Sequence, residues 1–129
     1  MRRGWQNAVE RGDAAALGVY LARGDDVDSR DRYGQTALML VARLGHYEAV
    51  EVLIAHGADL NHRAKYGLTA LMQATINDHA EVVRLLITAG ADADREGSGA
   101  PGFAGKTARD LAENLGRKTI ADLLNSEDI

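Results

Sequence analysis

The sequence contains no cysteine, which removes thiol nucleophiles, thiolate-held zinc, iron–sulfur clusters and disulfide staples together. A cysteine-free chain persists in reducing and oxidising surroundings alike, so the redox compartment is not readable from it. No run approaches the ~18 apolar residues needed to cross a bilayer. Met1-Arg2-Arg3-Gly4-Trp5 leads into polar sequence, so the expectation is a cytoplasmic protein with no signal peptide, no anchor and no membrane association. At 129 residues the chain is too short for a large multidomain enzyme, yet long enough for one core without metal or disulfide support. Aromatic residues are only 5% of it, so that core must be filled by aliphatic and small side chains. A net charge of −4 suits a soluble protein and argues against general nucleic-acid binding.

What the sequence does contain is a repeat. A shift of 33 residues aligns Gly24, Gly57 and Gly90, then Asp26, Asp59 and Asp92, then Leu21, Ile54 and Ile87. The two central copies match most fully. Tyr33-Gly34 pairs with Tyr66-Gly67, Thr36-Ala37-Leu38-Met39 with Thr69-Ala70-Leu71-Met72, and His46, Glu48, Val50 and Leu53 with His79, Glu81, Val83 and Leu86. Thr36 and Thr69 are placed to accept from the orphan amides of a helix start, and the apolar stripe that follows predicts a short helix. Gly45 can take the left-handed conformation that ends a helix, and Asp78 is a tolerated substitute there. A second helix is predicted from about Tyr47 to His56 and again from Ala80 to Ala89, stopped by Gly57 and Gly90. Helices this short are marginal alone in water, so each pair must stack on its neighbours.

The run Gly-x-Thr-Ala-Leu-Met, then Gly45-His46-x-Glu48-Ala49-Val50, then Leu53-Ile54-x-x-Gly57-Ala58-Asp59-Leu60-Asn61 resembles the ankyrin repeat, whose 33-residue period is well known. The resemblance covers nearly the whole chain. It implies an all-α solenoid of stacked helix-turn-helix units joined by β-hairpin or loop connections, with four repeats including two caps. The expected divisions are an N-terminal capping half-repeat over 1–30, repeats over 31–63 and 64–96, and a loop insertion with a C-terminal capping repeat over 97–129. In the last unit Arg109, Asp110, Arg117 and Lys118 put charge where an interior repeat would bury apolar groups, as an outward face would. The family prefers proline after the capping threonine and histidine two residues later. Here those positions are Ala37 and Met39, Ala70 and Met72, Ala108 and Asp110, which implies somewhat lower stability and the same fold. Gly67 to Gly105 spans 38 residues rather than 33, so extra residues lengthen the hairpin within 97–104.

The chain offers little for catalysis. The resemblance makes His46 and His79 structural, one repeat apart rather than convergent, and gives Asp26, Asp59 and Asp92 the task of satisfying backbone donors in each turn. His56 and His62 straddle Gly57 with no third ligand in evidence. Gly105-Lys106-Thr107 ends like a phosphate-binding loop, but the first glycine of that motif falls on Ala100. No catalytic, metal or cofactor residue is therefore expected, and no enzyme.

In such arrays function resides on hairpin tips and first helices, which together form a concave surface. Those positions include seven basic residues, Arg11, Arg23, Arg30, Arg32, Arg43, Arg63 and Lys65, and two acidic ones, Glu10 and Glu96, in a chain that is acidic as a whole. Tyr33 and Tyr66 offer aromatic anchors at successive tips. Leu44, Leu68 and Ile76 are apolar where solvent is expected. The expected binding set is Arg32, Tyr33, Arg43, Leu44, Lys65, Tyr66, Leu68, Ile76, Asn77 and Phe103, facing a protein partner with an acidic and apolar patch. Phe103, the only phenylalanine, either tucks against the last repeat or projects into the groove. The function expected is a non-catalytic, monomeric protein-interaction module that does not bind nucleic acid. The alternative is a dedicated inhibitor, stability or assembly factor for one enzyme.

Overall fold

The computed structural model describes residues 2–125. Among these residues eight α-helices pair in chain order: α1 (Arg3–Arg11) with α2 (Ala14–Ala22), α3 (Ala37–Leu44) with α4 (Tyr47–Ala55), α5 (Ala70–Ile76) with α6 (Ala80–Thr88), and α7 (Ala108–Asn114) with α8 (Lys118–Asn125). First helices pack on first helices and second on second along the stack, giving two layers around one continuous apolar core. The expected solenoid is what forms. The connections between units are turns, not strands: among the described residues only two isolated bridges occur, Arg30 with Thr36 and Gly97 with Ala104.

The first helices α3, α5 and α7 each start where a threonine caps them. Thr36, Thr69 and Thr107 accept from the amides of Met39, Met72 and Asp110. Met39 and Met72 are buried in the core, whereas Asp110 reaches back to accept from the Thr107 amide at 3.0 Å and closes a capping box. That hydrogen bond, with the hydroxyl and the nearby Lys106 and Arg109 charges, holds the Asp110 carboxyl below its ordinary range.

Adjacent pairs are pinned at equivalent points. Nε2 of His46 donates to the Glu10 carbonyl at 3.2 Å, and Nε2 of His79 to the Arg43 carbonyl at 2.9 Å. At the third junction Arg117 stands in the histidine's place and its Nη2 donates to the Ile76 carbonyl at 2.8 Å. The imidazoles also explain the glycines beneath them. A Cβ on Gly12 would lie 2.3 Å from the His46 ring, and one on Gly45 would lie 2.6 Å from His79. The equivalent residue at the third junction is Asp78, which keeps the left-handed backbone at φ 63° under Arg117, where no ring excludes its Cβ. Arg117 and Asp110 are thus half-buried connectors, a correction to the outward face expected of them; Arg109 and Lys118 are exposed.

A second set of bonds ties the turns together. The carboxylates of Asp26, Asp59 and Asp92 accept from amides two residues on, each at 2.9 Å. The side chains of Asp28 and Asn61 then accept from the amides of Asp59 and Asp92 in the next unit, at 2.9 and 2.7 Å. At the first unit Trp5 is buried edge-on to Tyr20, with ring centroids 6.4 Å apart, and an Arg2–Asp25 ion pair lies beside them. The unit expected as a half-cap carries both helices, α1 and α2.

The Asp110 carboxyl is held low in the folded chain, so the stability it adds is present above the ordinary aspartate range and is lost as pH falls through its folded value. Asp110→Asn should flatten that acid limb of a pH series of urea midpoints. Arg117→Ala should cost about 1–2 kcal/mol of unfolding free energy, whereas Lys118→Ala should stay within about 0.5 kcal/mol, both read by urea titration.

Candidate protein-binding surface

Three tips project from the stack, and an equivalent backbone bond spans the base of each. Asp31 N–H donates to the Gln35 carbonyl, Ala64 N–H to Leu68, and Gly97 N–H to Lys106, all at 2.9 Å. The first two close over the same number of residues. The third closes over five more, so the insertion is contained inside the tip and leaves the register of the stack intact.

The first tip is held open by its own side chain. One carboxylate oxygen of Asp31 accepts from the amides of Tyr33 and Gln35 at 2.8 and 3.0 Å, the Asx device that fixes tight turns. Tyr33 is left 68% exposed, with the Arg32 guanidinium 5.5 Å from its ring centroid. Behind Tyr33 runs a groove of about 230 Å³ between the tip, α1 and α3, lined by Gln6, Glu10, Asp31, Gln35, Leu40, Arg43 and Leu44. The structure thus brings Tyr33, Arg43 and Leu44 together, with Arg32 at the rim beside Gln6. Leu44 is 44% exposed.

The second tip differs because Ala64 stands where Asp31 does and has no carboxylate to brace the turn. Tyr66 takes the left-handed conformation at φ 63°, a strained choice for a tyrosine. The inserted loop braces it instead: the Ser98 amide donates to the Tyr66 carbonyl at 2.6 Å. Phe103 lies on the Tyr66 ring with centroids 5.6 Å apart and planes tilted by 32°, and Lys65 Nζ lies 5.1 Å from that ring's centroid. Tyr66 is only 37% exposed. Phe103 packs partly against the core and partly on the Tyr66 ring of the neighbouring tip.

Several expected contacts fall elsewhere. Leu68 is 9% exposed and belongs to the core, which corrects its placement on the surface: the residue after the tip glycine turns inward to fill the space above the capped helix. Ile76 is half-buried against the core, and its carbonyl serves Arg117. Asn77 is exposed at the end of α5, its amide donating to the Gln73 carbonyl at 2.9 Å. Among the basic set, Arg63 donates to the Glu96 carbonyl at 2.7 Å and Arg11 pairs with Asp13 at 3.5 Å. Of the groove residues, Gln6, Asp31 and Leu40 were not expected. Leu40 was legible, since the same register position holds Asn7 in the first unit and Gln73 in the third. His56 bonds the Val52 carbonyl of its own helix and His62 the Gly34 carbonyl, each serving the framework.

Comparison with known proteins now decides the family. The family model for ankyrin repeats matches residues 5–96 in three copies. This chain belongs to the ankyrin repeat family. Ankyrin repeats are generally protein–protein interaction modules, and no helix among the described residues is long and apolar enough to cross a membrane. A stretch of 44 residues is 46% identical to the E3 ubiquitin-protein ligase XBAT33 of Arabidopsis thaliana, covering 34% of this chain and 9% of that protein. The likeness is thus confined to a small part of that relative.

Leu68→Ala should destabilise the ankyrin stack by about 2–4 kcal/mol, while Leu44→Ala should stay within about 0.5 kcal/mol; paired thermal melts check both. Phe103→Ala should lower the melting temperature and raise the accessibility of Tyr66 to fluorescence quenchers, leaving Tyr33 unchanged.

Proposed function

We propose that this ankyrin repeat protein is a non-catalytic docking module that binds a protein partner on the surface formed by its first tip, α1 and α3. The observation that carries the reading is the convergence of Tyr33, from the tip, with Arg43 and Leu44, from the end of α3, on one groove. Two large apolar side chains left exposed side by side are what a binding patch needs and what a solvated helix avoids. Tyrosine supplies contact area at low entropic cost, and arginine can bridge to carboxylates around an apolar centre. The tip is fixed in advance by the Asp31 bonds, so little ordering is lost on docking. The partner fitting this surface carries an apolar patch flanked by acidic side chains, met by Arg32 and Arg43.

The test uses the intact chain, immobilised, with its partner drawn from native lysate and then purified. Replacing Tyr33, Arg43 and Leu44 with alanine, glutamine and alanine should weaken that partner by roughly 10–100-fold at unchanged melting temperature. Binding should also weaken with added salt. Undiminished capture by the triple variant would contradict the assignment of the surface. One stoichiometric enzyme as the captured partner would favour a dedicated enzyme regulator, and several unrelated partners a general adaptor.

A further inference from the structure

The two tips are near copies in sequence, Arg32-Tyr33-Gly34 and Lys65-Tyr66-Gly67, and in each a cation lies over the tyrosine ring. One is bare and the other is occupied by the chain's own inserted loop. That loop shows what kind of segment such a tip accepts. Its aromatic residue, Phe103, lies on the tyrosine. Gly99 lets the loop backbone pass close to the ring, since a Cβ there would come within 3.1 Å of Tyr66 Cδ1. The loop's base is closed by the Gly97–Lys106 and Gly105–Gly97 backbone bonds, so it arrives as a preformed turn.

We propose that the bare tip at Tyr33 docks a loop of another protein built on the same lines: an aromatic side chain flanked by glycine or another small residue. The assignment deepens the reading of this surface as a protein-docking site and rests on it. The groove beside Tyr33 suits an aromatic better than its counterpart beside Tyr66. Leu40 and Leu44 line the first, while Gln73 and Asn77 hold the equivalent positions in the second. Arg43 likewise corresponds to Ile76, so the first groove adds a cation whose attraction to an aromatic face or a neighbouring carboxylate favours the same ligand. The Tyr66 tip is already filled by a tethered segment at high effective concentration, which leaves Tyr33 as the tip open to an outside loop.

The probe is a head-to-tail cyclised peptide copying 96–106 of this chain, added to the full-length isotope-labelled protein at roughly millimolar concentration, the level that tethering gives the native loop. The expected result is a set of saturable amide shifts at Tyr33, Gly34, Gln35, Leu40 and Leu44, at least tenfold weaker with Leu44→Glu protein and absent for a peptide with alanine in place of its phenylalanine. Absence of shifts, shifts centred elsewhere, or equal shifts from the alanine peptide would overturn the proposal. Shifts at the same residues that grow with protein concentration without peptide would make a second copy the occupant, and would overturn it too. If the peptide fails while the Tyr33, Arg43 and Leu44 triple variant still loses its captured partner, only the aromatic-loop assignment falls. If that variant loses nothing, the wider reading falls with it.

Discussion

Short helices that cannot stand alone govern everything else in this molecule. Among the described residues the longest helix has nine residues, below the ~12 at which isolated helices become even marginal in water. Stability must come from stacking, and stacking requires that every unit present the same shape to its neighbour. The inter-unit bonds to the carbonyls of Glu10, Arg43 and Ile76 fix that shape at one edge, and the Asp28 and Asn61 bonds fix it at another. Between those two seams lies the apolar core.

Because the framework is fixed at its seams and core, the tips are free to differ. Asp31 braces the first tip from within, and its replacement by Ala64 leaves the second to be braced from without. Five added residues then cost the stack nothing, since the closing bond of the third tip is unchanged. The same economy accounts for the third junction, where Arg117 replaces histidine and Asp78 replaces glycine together. Asp78 under a histidine would meet a steric penalty, as a Cβ at Gly12 or Gly45 would, whereas Arg117 keeps a donor on the Ile76 carbonyl with no ring in the way.

The fold was legible because its signals are local and periodic. Threonine caps, glycine stops and the 33-residue register each depend on residues close in sequence, and the observed helices end within a residue of those expected. The surface was legible only in part. Tyr33, Arg43 and Leu44 could be picked out from register, because the 33-residue alignment assigns Tyr33 to a tip and Arg43 and Leu44 to the end of a first helix. Leu68 did not, since the direction of a side chain leaving a tight turn depends on the turn's closing bond, which the sequence pattern does not encode. Nor did the contact of Phe103 with Tyr66, which joins residues separated by an insertion of a length unique to this chain's last tip. Arg117 looked like a surface charge because its role depends on a carbonyl 41 residues earlier.

What unites these features is a stack with one open tip and its groove, the surface we propose for a protein partner. Amide hydrogen exchange on the intact chain, alone and saturated with its purified partner, addresses that claim directly. The account predicts that added protection is concentrated in the 31–35 tip and the adjoining stretches of α1 and α3. Added protection on the outward second helices α4 and α6, with the first tip unchanged, would contradict it.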